Sequence, residues 1–226
     1  MKELIAMDLA DPRYAALIRS LPVEHHTIRV ARSVWEPRFA AAGLTTEFEA
    51  IFGDELEISL AREQIRRQAD RRRKCLEVLL WGYPSGMRGN RHESYLANLD
   101  TISERAASDA PWPGYFANLR ALRGLGMSTI TKLAYFFGKT FEGHPAVILD
   151  SRIVAVLTRG TWAEFAGRRR VTYNNASRHY LRYLETTASA ACGIEGATPE
   201  QLEFFLFSLG NAFGPSASGG EESPTR

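Results

Sequence analysis

A chain of 226 residues with 45% hydrophobic side chains is long enough for one domain, or two small lobes, around a sizeable core. Its two cysteines, Cys75 and Cys192, stand far apart, which argues against a disulfide framework, a cysteine-ligated zinc site and a four-cysteine iron–sulfur cluster, so neither metal nor cofactor is expected. Asp8 and Asp11 interrupt the start where a signal peptide needs an apolar stretch, and no run reaches membrane-spanning length; the reading is a soluble cytoplasmic protein.

The net charge of +2 is too small to announce a nucleic-acid binder, but its distribution says more. Residues 62–91 hold nine Lys/Arg against Glu63, Asp70 and Glu77, and residues 152–182 hold seven Arg against Glu164 alone.

In chain order, residues 11–20 read as a short helix stopped at Leu21 and Pro22. Ser33 and Glu36 form a candidate capping box for a helix ending near Gly43. Residues 45–53 read as a turn-rich connection, and residues 59–81 as one long helix with Leu60, Ile65, Leu76 and Leu80 among its apolar members. Within it Arg71, Arg72, Arg73 and Lys74 point in nearly every direction, so they cannot all meet one ligand and read as a solvated charged turn.

Residues 81–91, WGYPSGMRGNR, break regular structure at Gly82, Pro84, Gly86 and Gly89. Trp81, Tyr83, Arg88, Asn90 and Arg91 supply ring faces and hydrogen-bond donors there. Such a loop suits base stacking and phosphate contact; the alternative is a Pro/Gly corner with Trp81 plugging the core. Residues 92–107 follow as an amphipathic helix, and Pro111 and Pro113 end the connection after it.

Residues 115–123 predict a helix packing Phe116, Leu119 and Leu122. The turn Gly124, Leu125, Gly126 then opens a second helix, over residues 127–137. Glycines in that turn are expected to take positive φ and to leave amide N–H groups uncovered at a helix start, where the helix dipole favours a phosphate. Ile130, Leu133, Ala134 and Phe137 form the apolar side of that helix, and Ser128, Thr131, Lys132 and Tyr135 its polar side. Beyond it the apolar residues Ala146, Val147, Ile148 and Leu149, a strand-like link at most, end at Asp150, which stands as N-cap of a helix over residues 151–158.

Residues 162–170 read as a connection and residues 175–191 as a helix. Thr198 and Pro199 start the last helix as N-cap and first helical residue, and it carries Phe204, Phe205 and Phe207. From residue 215 to 226 Ser, Gly, Glu and Pro predict a disordered tail. No segment shows convincing period-2 alternation, and the predicted class is all-α.

Leu122, Gly124, Leu125 and Gly126, an amphipathic helix, and then Ala146, Val147, Ile148, Leu149 and Asp150 resemble the helix-hairpin-helix motif and aspartate segment of the DNA glycosylase superfamily, in its 8-oxoguanine glycosylase-like branch. The likeness spans about a sixth of the chain, and the order of turn, helix and aspartate makes it moderately specific. WGYP followed by RGN is similar to a segment in bacterial proteins of the same group. The resemblance implies two helical lobes with a cleft and a single glycosylase-like domain over residues 1–214, with its hairpin at 115–138 and aspartate segment at 146–158. The implied partner is double-stranded DNA with a modified base, met by a monomer.

The resemblance also implies roles. Gly124, Leu125, Gly126 and Ser128, with Arg152 and Arg91, would contact DNA. Asp150 would stabilise an oxocarbenium-like transition state or activate the nucleophile. Trp81, Tyr83, Arg88 and Asn90 would line the base pocket, joined by Gln201 and Phe205, because the family's C-terminal helix contributes a glutamine and an aromatic. One departure stands out. The family's Schiff-base lysine usually stands two residues after the second glycine, where this chain has Ser128; Lys132 follows one turn later on the same face. Lys132 is the candidate nucleophile, and without it Asp150 would activate water. The substrate is either 8-oxoguanine, in base excision repair, or glucosylated hydroxymethylcytosine of phage DNA, in anti-phage defence. The rival reading is a non-catalytic helix-hairpin-helix module that grips DNA backbones and does not need Asp150.

Overall fold

The computed structural model describes residues 6–87, 91–168, 171–210 and 212; Arg88, Asn90 and the tail from residue 215 lie outside the described residues. Twelve α-helices among them make the protein all-α, with two small antiparallel sheets that the sequence reading missed. Its buried side chains form one continuous cluster. No helix among the described residues is long and apolar enough to cross a membrane.

The N-terminal part departs most from the sequence reading. After α1 (Pro12–Ser20), strand β1 (Thr27–Ala31) pairs antiparallel with β2 (Glu57–Ala61), placing Ile28 opposite Leu60 and Val30 opposite Ile58. Five residues of alternation are enough to bury Val30 and Leu60. Helix α2 (Arg32–Ala41) runs straight out of β1, so Ala31 stands at its N-cap and the Ser33 capping box is not used. The supposed turn-rich stretch is helix α3 (Thr45–Phe52), because Phe48 and Phe52, one turn apart, both bury. Arg32 ties the pair together, with Nη1 and Nη2 donating to Glu49 at 3.0 and 2.9 Å and its guanidinium 5.1 Å from the Phe48 ring centre.

The expected long helix is divided into β2, α4 (Arg62–Arg67) and α5 (Arg71–Gly82). Asp70 restarts it, its Oδ1 accepting from the amides of Arg72 and Arg73 at 2.8 and 3.1 Å. Most of the basic run at its start is used inside the molecule. Arg72 pairs with Glu47 at 3.0 Å and with Asp100, Arg73 with Glu77 at 2.9 Å, and Lys74 donates to the Arg66 carbonyl at 3.0 Å.

Next come α6 (Arg91–Ala97) and α7 (Leu99–Ala107), one expected helix broken at Asn98. Helix α8 (Trp112–Arg120) starts earlier than expected, with Pro113 opening it rather than ending the connection. Helix α9 (Met127–Phe136) is central: every side chain from Thr129 onward is buried, so its polar side faces the interior and not solvent. A two-residue ladder, β3 (Thr140–Phe141) with β4 (His144–Pro145), leads on to α10 (Ser151–Arg159), α11 (Ala176–Cys192) and α12 (Pro199–Ser208).

Between β4 and α10, residues 146–149 are buried yet belong to no strand. Side chains satisfy their backbone instead, as buried peptide groups require. Tyr180 donates its hydroxyl to the Val147 carbonyl at 2.7 Å, and Tyr183 to that of Ile148 at 3.1 Å. The Leu149 amide donates to Thr131 Oγ1 at 3.1 Å. Thr131 precedes Lys132 and Leu149 precedes Asp150, so this bond sets the lysine against the aspartate. Thr131→Val keeps the shape and orphans the Leu149 amide; urea unfolding should show a loss of about 1–3 kcal/mol. Unchanged stability would show that the hydroxyl does not hold the segment.

Candidate active site

A cavity of about 400 Å³ lies where β1, the end of α5, α9, residues 148–152 and α12 meet. Four residues singled out in the sequence line it: Trp81, Lys132, Asp150 and Arg152. The fold adds His26, Arg62 and Glu203, none of which had a local motif to mark it, together with Gly82 of the WGYP segment and Phe207 of the last helix.

Lys132 enters from α9 and is 6% exposed. Its Nζ donates to Ser128 Oγ at 2.5 Å and stands 5.4 Å from the centre of the Tyr83 ring. Ser128, at the position where the resemblance would place a lysine, therefore holds the amine of the lysine one turn later. Gly82 makes room for the stem: a Cβ there would sit 3.0 Å from Lys132 Cδ and 3.3 Å from Cε. Burial pushes the Lys132 ammonium below the ordinary lysine range, against the opposing pull of Asp150 and Glu203, which raises the share of free amine.

Asp150 reaches the same cavity as N-cap of α10. Its Oδ1 accepts from the amides of Arg152 and Ile153 at 2.9 and 3.0 Å, so two N–H groups at the helix start are satisfied by its side chain. Arg152 follows, exposed at the rim, its guanidinium 4.9 Å from the centre of the Phe207 ring.

Deeper in, Arg62 Nη1 donates to Glu203 Oε2 at 2.7 Å, with the two side chains 1% and 0% exposed. Burial raises the Glu203 carboxyl above the usual range while Arg62 opposes it. His26 lies against Phe204, with ring centres 4.5 Å apart, and edge-on to Trp81 at 5.3 Å. Burial, with Arg62 nearby, pushes its imidazole down to about 4, so it is neutral near pH 7.

The hairpin borders a second depression, of about 380 Å³, lined by Tyr83, Arg91, Gly124, Gly126, Ser128 and Tyr173 among others. Only Gly124 of the two turn glycines takes positive φ, +94°. Gly126 is extended at φ −100°; its need is close approach, since a Cβ would meet the Tyr173 hydroxyl at 3.0 Å. That hydroxyl accepts from the Ser128 amide at 3.3 Å, so an N–H expected to be uncovered is occupied. Tyr83, expected in the base pocket, lines this second depression, with the Lys132 amine 5.4 Å from its ring centre and its hydroxyl 2.6 Å from Thr129 Oγ1.

Three expected site residues lie elsewhere. Leu125 is fully buried and serves the core. Gln201 completes the capping box of α12, accepting from the Thr198 amide at 3.0 Å and donating to the Arg19 carbonyl at 2.9 Å. Phe205 is fully buried, 5.3 Å from Trp162 between ring centres. Helix α12 instead turns Glu203 and Phe207 to the cavity, the same one-turn spacing shifted by two residues. Arg88 and Asn90 lie outside the described residues.

The mostly helical chain, with two helices around a glycine turn, has an all-α fold of the glycosylase type. The family model described as putative 8-oxoguanine DNA glycosylase OGG-like protein matches residues 21–207, and the chain belongs to that family. No curated protein and no solved structure gave a match.

The neutral His26 has a consequence for stability. Its folded value, about 4, lies below the ordinary 6.5, so between these pH values the unfolded chain binds the extra proton. This contribution is complete above pH 6.5 and is lost as pH falls toward 4. His26→Gln should flatten the fall in melting temperature across that window; an unaltered slope would contradict a buried neutral imidazole.

Proposed function

We propose that the protein is a DNA N-glycosylase that extrudes one modified base from double-stranded DNA into the cavity and releases it, acting as a monomer without a cofactor. The observation that carries this reading is a buried lysine amine and an aspartate carboxylate on the lining of one cavity, in a chain of the glycosylase family. Extrusion costs a few kcal/mol and needs a pocket, and rings such as Trp81 and Phe207 line this one.

In this mechanism Asp150 faces the sugar and stabilises positive charge developing on C1′ as the C1′–N bond breaks. The base leaves with the bonding electron pair and is protonated. The Lys132 amine adds to C1′ through its lone pair; loss of its proton and cleavage of the C1′–O4′ bond give a Schiff base. Water then hydrolyses it and regenerates the amine, or a strand break follows by elimination. Ser128 holds the amine before attack, and the hairpin amides with Arg91 and Arg152 meet the phosphates.

The probes are duplexes carrying 8-oxoguanine, the base that the family description names, and glucosylated hydroxymethylcytosine. Borohydride should trap the parent protein on one of them. Lys132→Ala should abolish trapping, and Asp150→Asn should slow base release by about a hundredfold or more, with DNA binding kept in both. Full base release without Lys132 would instead favour water activated by Asp150. Salt-sensitive DNA binding with no base release on either duplex would favour a non-catalytic module.

Gly82→Ala is a gentler test of the lysine's placement. A new methyl group would displace the flexible Lys132 stem at little cost to the fold, so trapping should fall by about tenfold or more with the melting temperature nearly unchanged. Unimpaired trapping would mean that the stem's path past Gly82 is unimportant.

A further inference from the structure

Lys132 shares its cavity with two carboxylates, yet among the described residues it forms an ion pair with neither and donates to Ser128 Oγ instead. Asp150 has an oxygen committed to the amides of α10. Glu203 is committed to Arg62, which reaches its two oxygens at 2.7 and 3.4 Å. A guanidinium keeps its charge throughout the working pH range and can meet a carboxylate with two N–H groups; an ammonium is a single point donor. Arg62 is further held by the rings of Trp81, Tyr135 and Phe204, 5.3, 5.2 and 5.2 Å from its guanidinium carbon. It therefore wins the carboxylate from the lysine. Stability alone gives no reason for such a pair, since apolar replacements of a buried ion pair are often neutral or better.

We propose that Arg62 is a positioning residue: by holding Glu203 it keeps Lys132 out of an ion pair and leaves the amine free at the cavity wall. This rests on the reading of Lys132 as the nucleophile. The groups facing the amine are Asp150 and Arg152 at the start of α10, Glu203 from α12, Arg62 from α4, Tyr83 after α5, Ser128 from its own helix, and His26, neutral near pH 7. Burial lowers the lysine, Asp150 and Glu203 raise it, and Arg62 lowers it again. Without Arg62, Glu203 is released toward Lys132 and the amine holds its proton to higher pH. Neutralising Glu203 leaves Arg62 unopposed, and the proton is lost at lower pH.

The test follows acetylation of Lys132 by acetic anhydride across pH, read by mass spectrometry, beside the pH profile of borohydride trapping. Arg62→Met should move the midpoint up by about one pH unit or more, and Glu203→Gln should move it down. The Arg62→Met/Glu203→Met double variant should stay within about half a unit of the parent. General loosening of the fold cannot shift one midpoint in two directions, and the latter two variants carry the test if Arg62→Met alone does not fold. Unmoved midpoints in folded variants, or shifts all in one direction, would overturn the proposal. Trapping through Lys132 with unmoved midpoints would sink this inference and spare the glycosylase reading. The expected shifts in a protein that traps no DNA and releases no base would do the reverse.

Discussion

The bond from the Leu149 amide to the Thr131 hydroxyl is the constraint on which the rest of the site depends. Residues 146–149 run through the interior without a partner strand, so their backbone groups need side-chain partners or carry a desolvation cost. Helices α9 and α11 supply them through Thr131, Tyr180 and Tyr183. Because Thr131 and Leu149 each precede a charged residue, satisfying the backbone also brings the stretches that carry Lys132 and Asp150 together at one cavity. Packing and the placement of these two side chains are here the same event.

The electrostatics follow from that geometry. Arg62, Lys132, Asp150 and Glu203, with the exposed Arg152 beside them, line a cavity of about 400 Å³, where burial makes any uncompensated charge expensive. The charges are sorted by kind. The arginine takes the buried glutamate, the backbone amides of α10 take the aspartate, and the lysine is left with a neutral hydroxyl. The lysine is the one whose pKa burial can move far enough to yield a free amine, whereas the guanidinium stays charged. The same sorting leaves Asp150 on the cavity lining with its Oδ1 held by the α10 amides.

What the sequence revealed was local. Asp150 as N-cap, Thr198 and Pro199 at the start of α12, and the start of a helix at Met127 after the glycine turn each depend on a few neighbouring residues, and each stands in the structure as read. The charged groups around Lys132 are not local: Arg62 and Glu203 stand 141 residues apart, and nothing near either one marks their pairing. The β1 and β2 strands were hidden by their brevity and by the helix-forming residues that follow each. Gln201 was the expected pocket residue of α12 because of its type; the capping box claims it, and two residues later Glu203 faces the cavity. Gly126 was read as a positive-φ residue when its requirement is the nearby Tyr173 hydroxyl. The polar side of α9 was read correctly in composition and wrongly in surroundings, since the helix is enclosed.

In the proposed mechanism the Lys132 amine forms the covalent bond to the sugar from which the base is lost. Peptide mapping of the borohydride-trapped protein–DNA adduct by mass spectrometry tests this bond. The deoxyribose remnant is expected on the peptide containing Lys132, with Lys74 and Lys139 unmodified. An adduct on any other residue, or base release with no adduct at all, would contradict it.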